Sequence, residues 1–414
     1  MRYSFPQLQT ATRFQTYNVV RRALVDAGHI VSPNIETDCD AVLYSACDVL
    51  DMRGLRKLQK QTDKPIIVGG AFAYNYWSAI LYSDIVWIGE IFNFAKLNNL
   101  ADIANSECAF TGTRKQLIAD QYIDWCKIPI TQISKYKAYY WAGVGCKNHC
   151  HFCYTSWTHS KQENSLQAIS RAVSECSSRR IHLMLTANFY ENDPINDPKT
   201  NTRDFLLQDY LLRPVAAQLI RCGIEFARED TRKLLGKEIS KNDIFAAIQK
   251  MDRDNTALRL FHITGYEPLS DWEFYIDDLA KMLSRCPNRR CPNRHLLHLM
   301  FNNLQYQNYT PLYSERRKID PEKYADFHLT KIWYDKLRQY STHILVSAPS
   351  PFRHVACRMG LELSRNREQA EYWLRAFSRK AFTTQEAYTA LFTTGIMDTP
   401  RVVLKTGGVI AEIL

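Results

Sequence analysis

Three cysteines, Cys146, Cys150 and Cys153, stand close together in the run WAGVGCKNHCHFCYTSW. Thiolates spaced C-x3-C-x2-C on one tight loop converge on a single face of a cuboidal cluster, so they hold three irons of a [4Fe–4S] cluster and leave the fourth iron open to a ligand. Phe152, directly before the third cysteine, is part of the same pattern. The competing chemistry is a structural zinc site, with a fourth ligand from His149, His151 or His159. Zinc sites favour paired knuckles with a second ligand pair about 12–20 residues on, and no such pair follows here.

At this motif the chain resembles the radical S-adenosylmethionine (SAM) superfamily. The resemblance implies that SAM chelates the open iron through its amino and carboxylate groups. An electron from the cluster then cleaves the sulfonium to a 5′-deoxyadenosyl radical, which abstracts a hydrogen atom from the substrate. It also implies a reductant protein such as flavodoxin or ferredoxin. The cofactors carry the hard chemistry, and the protein orients them and excludes water.

The elements that must position this loop are legible as a strand and helix alternation. Residues 12–28 read as a helix with Phe14, Val19, Leu24 and Ala27 near one face and Gly28 as its stop. The apolar runs 41–47 (AVLYSAC), 65–70 (PIIVGG) and 84–90 (DIVWIGE) are typical of buried parallel strands, with helical segments expected at 51–61, 74–81 and 92–105. Such alternation predicts a small doubly wound sheet. Over roughly residues 35–105 this region resembles the cobalamin-binding domain that precedes many radical SAM domains, which makes cobalamin a further expected cofactor. Gly69 and Gly70 would let backbone approach a ligand at the carboxyl edge of the sheet. The Asp-x-His-x-x-Gly signature of that family is absent, and the bulky AFAYNYW follows Gly70 where small residues are usual.

Residues 107–140 read as a linker into a strand at 138–144, which feeds the cysteine loop. Beyond it a helix is expected at 165–177, a strand at 181–185 (IHLML) and a helix at 206–222. In the resembled barrel the second strand ends in a Gly-Gly-Glu that contacts the methionyl amino group. This chain has Thr186-Ala187-Asn188 there, which makes Asn188 the candidate. The run from Gly223 to Asp230 resembles the strand whose charged end binds the ligand's carboxylate or ribose, with Arg228 and Glu229 as candidates. The stretch 231–251 resembles the family's helix-turn-helix spacer. LRLFHITG at 258–265 resembles the fifth strand, where Gly265 would let backbone approach the adenine, and HLMFNN at 298–303 the sixth. Functional residues of a partial barrel sit at the carboxyl ends of its strands, where these candidates fall.

The expected fold is therefore α/β: a cobalamin-binding-like doubly wound domain over 1–110, a linker over 111–137, a partial TIM-type radical SAM barrel over 138–326 and a basic helical domain over 327–414. At 414 residues the chain is long enough for more than one core. Neither an apolar N-terminal leader nor a run of 18 apolar residues occurs, and the twelve cysteines form no disulfide framework, so a cytoplasmic protein without a membrane partner is expected.

The formal charge is +10, and its excess falls on the catalytic and C-terminal parts. Lys plus Arg against Asp plus Glu number 12 and 13 over residues 1–125, 29 and 23 over 126–330, and 12 and 7 over 331–414. That balance favours a nucleic acid or nucleotide as substrate. The C-terminal segment interleaves Arg353, Arg358, Arg365, Arg367, Arg375, Arg379 and Lys380 with Phe352, Tyr372, Trp373 and Phe377. Arginine pairs phosphates and aromatics stack on bases, although an amphipathic helix with its aromatics inward gives the same pattern. The tandem CPNRRCPNR, with Cys286, Cys291, His295 and His298, reads as a basic turn-rich loop or a second metal site.

Three functions compete. One is modification or rearrangement of a nucleic-acid base or nucleotide, as in the phage radical SAM enzymes that isomerise a hypermodified thymidine in DNA. The second is a cobalamin-dependent radical SAM methyltransferase acting on a peptide or small molecule. The third is a zinc-stabilised nucleic-acid-binding protein.

Overall fold

The computed structural model describes residues 1–414 except 7–10, 114, 115, 147, 187–201, 213–218, 255, 285–296, 308, 341, 342, 380, 394–400, 407, 408, 413 and 414. Asn188 and the tandem CPNRRCPNR therefore lie outside the described residues.

The N-terminal sheet is built from β1 (Arg2–Ser4), β2 (Ile30–Ser32), β3 (Ala41–Ser45), β4 (Ile66–Gly69), β5 (Ile85–Trp87) and β6 (Ala109–Phe110) in the order β2-β1-β3-β4-β5-β6. All neighbours are parallel except the β5/β6 pair. Every residue of β3 is buried, as a parallel strand covered on both faces demands. The covering helices include α1 (Ala11–Asp26), closed by Gly28 at φ 87°, and α2 (Asp51–Gln59), which buries Met52, Leu55 and Leu58 on one stripe. The helix expected at 74–81 is instead a string of short turns around α3 (Tyr76–Ala79). That expected at 92–105 is two short pieces, α4 (Ile91–Phe94) and α5 (Leu100–Asn105). In the first case the aromatics are spread round every side, and Phe72, Tyr74 and Tyr76 all enter the core without a helical stripe.

The stretch read as a linker is structured. It carries β6, β7 (Gln116–Asp120), β8 (Thr131–Ser134) and the start of β9 (Lys137–Trp141). The chain then runs through β10 (Gly143–Val144), the cysteine loop, α6 (Tyr154–Thr158), β11 (Gln162–Glu163), α7 (Leu166–Ser178), β12 (His182–Thr186), β13 (Thr202–Phe205) and α8 (Leu207–Leu212). It continues with β14 (Leu219–Glu225), α9 (Glu229–Leu234), α10 (Lys241–Asp254), β15 (Ala257–Thr264), α11 (Leu269–Leu283) and β16 (Leu297–Asn303). Of the helix expected at 206–222 the described residues show α8 at its start, and its end, from Leu219 through Cys222, is strand. Its pattern there alternates, with Ile220, Cys222 and Ile224 buried, and period two belongs to a strand.

Strand β12 lies parallel to β9, and β13 to β16 form a parallel sheet in chain order, the succession of an open (β/α) barrel. Along β15 alternate residues are buried, Leu258, Leu260, His262 and Thr264 facing the helices. Trp272, Phe301 and Trp333 pack against that face, with His262 stacked 4.9 Å from the Phe301 ring. The other face, with Phe261 and Ile263, looks into the barrel.

The final segment is not helical throughout. Helices α12 (Phe327–Leu337), α13 (Phe352–Leu363), α14 (Arg367–Ser378) and α15 (Thr384–Thr393) are joined by β17 (Ile344–Ser347), which adds to β16. The last two strands, β18 (Arg401–Thr406) and β19 (Val409–Glu412), extend the sheet begun by β7. Trp373 is fully buried against Gly360 of α13, where a Cβ would strike its ring. The arginine and aromatic alternation is thus explained first by packing, with Arg367 and Arg375 paired to Glu371 on the outer side of α14.

Candidate active site

The cysteine loop leaves the carboxyl end of the β9–β10 region and is clamped on two sides. Gly145 turns it at φ 72°, where a side chain would run into the backbone of Ser160. On one side His151 N donates to Leu235 O at 3.0 Å, and on the other His151 O accepts from Leu312 N at 3.0 Å. Within the loop, Cys153 N donates to Cys150 O (3.1 Å) and the Trp157 indole donates to the same oxygen (2.9 Å). Gly236, at φ 77° in the turn between α9 and α10, lets that turn lie against the loop; a Cβ there would come within 2.9 Å of His149 O. This gives the helix-turn-helix spacer a physical job: its glycine braces the cysteines.

Cys146 and Cys150 are buried and Cys153 half-buried. Burial pushes the Cys150 thiol up to about 12, opposed by the Lys237 ammonium, and burial raises Cys146 as well. A bound cation removes that penalty by taking the thiolate as ligand. Among the described residues no group of three His, Cys, Asp or Glu side chains is gathered to bind a single metal ion. Three thiolates from one tight loop are the donor set that a [4Fe–4S] cluster takes, one to each of three irons.

Cys146 and Cys153 open on a cavity of about 720 Å³ at the carboxyl ends of β14, β15 and β16, a size suited to a small-molecule ligand. Phe152 lines it, its ring 5.2 Å from that of Phe226. At its floor lies an ion pair the sequence reading missed: Lys237 Nζ to Glu225 Oε1, 2.9 Å, with side chains only 9% and 13% exposed. A bulge between Gly223 and Glu225 aims the carboxylate inward, with Glu225 at φ 74°. Burial alone would lower the Lys237 ammonium; the Glu225 carboxylate first, and the Cys150 and Cys153 sulfurs when they are thiolates, outweigh it, so its pKa is raised and the side chain stays charged. The signal available in sequence was Gly223 two residues before Glu225, an interior glycine that often marks a bulge.

Arg228 and Glu229 are not part of this cavity. Arg228 is exposed and pairs with Asp230 (2.6 Å) and Asp271 (3.8 Å), and its hydrogen bond holds Asp230 down to about 2. Glu229 accepts from Lys241 N at 2.9 Å. Both line a separate surface hollow over α9, α10 and α11. Gly265, at φ 109°, does permit a close approach, and the group that approaches is the Tyr324 ring.

A second cavity, about 430 Å³, lies at the carboxyl edge of the N-terminal sheet. Gly69, Gly70 and Gly89 line it with Glu90, and Trp141 and His159 close it from the barrel side. The bulky AFAYNYW does not fill it: Phe72 and Tyr76 turn into the core, and only Ala71 and Tyr74 border the space. Tyr74, Tyr154 and His159 form an aromatic wall beside it, Tyr74 and Tyr154 meeting edge-on at 5.5 Å and Tyr154 also lining the larger cavity. Burial lowers His159 to about 4, so its ring is neutral.

No protein-family model and no curated relative matches the chain. Among solved structures it is similar to the cobalamin-dependent S-adenosylmethionine radical enzyme OxsB. With aqua-cobalamin and S-adenosylmethionine bound, that structure aligns at TM-score 0.48 and 11% identity over 84% of this chain and 58% of that one. With aqua-cobalamin alone the values are 0.49 and 11%, over 76% and 55%. For the apo, selenomethionine-labelled form they are 0.46 and 13%, over 67% and 51%. The chain thus spans a little over half the length of OxsB. At TM-scores below 0.5 the functional reading rests on this chain's own residues. No helix among the described residues is long and apolar enough to cross a membrane.

Proposed function

We propose that this protein is a radical SAM enzyme that modifies or rearranges a nucleic-acid base or nucleotide. The observation that carries the reading is the C-x3-C-x2-C loop, braced at Gly236 and opening through Cys146 and Cys153 on a cavity at the carboxyl ends of parallel strands. When bound there, a [4Fe–4S] cluster and SAM supply an electron and a 5′-deoxyadenosyl radical to a nearby carbon–hydrogen bond. Cys146, Cys150 and Cys153 would hold the cluster. Glu225 and Lys237, rather than Arg228 and Glu229, are the charged groups beside it that would orient SAM. Phe152 and Phe261 exclude water from the same space. The nucleic-acid or nucleotide substrate is supported by the basic excess of residues 126–414, and isomerisation of a hypermodified thymidine in phage DNA is one reaction of this kind. A reductant protein such as flavodoxin or ferredoxin would deliver the electron.

A second reading, a cobalamin-dependent radical SAM methyltransferase of a peptide or small molecule, is favoured by the 430 Å³ cavity at Gly69, Gly70 and Gly89. Gly69, Gly70 and Gly89 present no side chains to it, so backbone forms part of its wall, as a large flat ligand requires. Two assays separate the readings. A corrinoid spectrum in protein purified with cobalamin supplied, joined to no DNA or nucleotide binding at low salt, would select the methyltransferase. Binding to DNA that weakens steeply with salt supports the first, because each neutralised phosphate releases condensed counterion.

A further inference from the structure

The larger cavity carries more positive than negative charge on its walls, and the charges are not equivalent. Arg221, Lys237 and Arg358 line it against Asp204 and Glu225. Two of the cations are matched: Arg221 donates to Asp204 at 2.5 Å and Lys237 to Glu225 at 2.9 Å. Arg358 forms no direct ion pair among the described residues; its Nε, like that of Arg221, is shielded from solvent without a hydrogen-bond partner. A guanidinium that lines a cavity without a carboxylate partner is left to water or to an anionic ligand.

Its helix is rigidly held. Val355, Ala356 and Met359 of α13 are buried, Gly360 abuts Trp373, and the Phe352 ring packs 4.5 Å from Tyr324. Asn303, at the end of β16, donates to Ser350 O and so ties the start of α13 to the cavity rim. Arg358 faces the same cavity as Cys146 and Cys153. Glu362, one turn along the same helix and itself buried, lies within the attraction of the Arg358 charge.

We infer that Arg358 binds an anionic group of the substrate, a phosphate or a carboxylate, in this cavity. The inference rests on the reading of this cavity as the SAM and substrate site, and it makes the C-terminal helical segment part of substrate selection. A planar fork of donors suits an oxyanion, which can accept two parallel bonds from it. The substrate would then be turned with its charged end on α13 and its reacting carbon toward the cysteine loop.

The test uses the full chain after anaerobic reconstitution. Modification of Arg358 by phenylglyoxal, mapped by peptide mass spectrometry, is timed alone and with SAM, inorganic phosphate, thymidine 5′-monophosphate or acetate. Protection of about tenfold by phosphate and the nucleotide is expected, with SAM alone leaving the rate unchanged. Protection by acetate and not by phosphate assigns the anion as a carboxylate. Protection by SAM alone, or by none of the four, overturns the inference. Arg358→Lys should retain part of the anion affinity, measured by competition, that Arg358→Ala loses; equal affinity in both variants and wild type would also overturn it. Iron content on the same samples keeps the two claims apart. A loaded cluster without protection removes the role of Arg358 alone, whereas protection without any iron removes the reading of the site.

Discussion

Strand β14 ends in two charged groups only three residues apart, and they have different fates. Glu225 turns inward through the bulge and meets Lys237 in a buried pair beside the cysteines. Arg228 turns outward and pairs with Asp230 and Asp271 in solvent. Charge at a strand end is thus an insufficient pointer to a site. The side of the sheet it reaches decides whether it works in low dielectric, where an ion pair orients a ligand, or in water, where it contributes little.

The sharpest break of that comparison sets the cavity side against the outer surface by activity. Cys146→Ala, Cys150→Ala or Cys153→Ala should abolish formation of 5′-deoxyadenosine from SAM and dithionite without substrate, whereas Arg375→Ala, whose guanidinium pairs with Glu371 on the exposed face of α14, should leave it intact. Chromatography of the nucleoside product checks both. Loss of the product in Arg375→Ala would place α14 in the SAM site.

Next in size is stability at the two ends of the strand. Lys237→Ala leaves Glu225 as a buried charge without its partner and should cost about 3–5 kcal/mol in denaturant unfolding. Arg228→Ala, on the solvent side, should produce no measurable change. Equal losses would mean that the inner pair is as well solvated as the outer one.

A smaller effect should follow pH. Burial raises Glu362 to about 7 despite the attraction of Arg358, so the folded chain holds a proton that the unfolded chain releases near the ordinary value of 4.5. Because the folded pKa is the higher, its contribution is fully present below about pH 4.5 and is lost as pH rises through 7. At about 1.4 kcal/mol per unit, the change amounts to roughly 3 kcal/mol at most. Glu362→Gln should flatten that part of the stability profile, measured by urea unfolding at several pH values; an unchanged slope would assign the titration elsewhere.

Much of this was legible in the sequence where one signal dominated. The cysteine spacing is the signal on which the proposed cluster chemistry rests. The buried runs AVLYS, IIVG and IVW are strands β3, β4 and β5 because nothing in them alternates. Other parts depended on long-range contacts. Gln116–Asp120 looked like linker because its partner, β18, lies nearly three hundred residues away, and a strand completed from so far leaves little local trace. Glu225 and Lys237 escaped notice because the bulge that unites them is a backbone event, and the only residue to hint at it was Gly223. The arginine and aromatic pattern near the C-terminus was legible in both its senses, and burial of Trp373 settled that helix packing comes first.

The most direct test of the central claim is iron and acid-labile sulfide per chain after anaerobic reconstitution, in wild type and in Cys150→Ala. The account predicts about four of each in wild type and little of either in the variant. No iron in wild type, or the same content in Cys150→Ala, would contradict it.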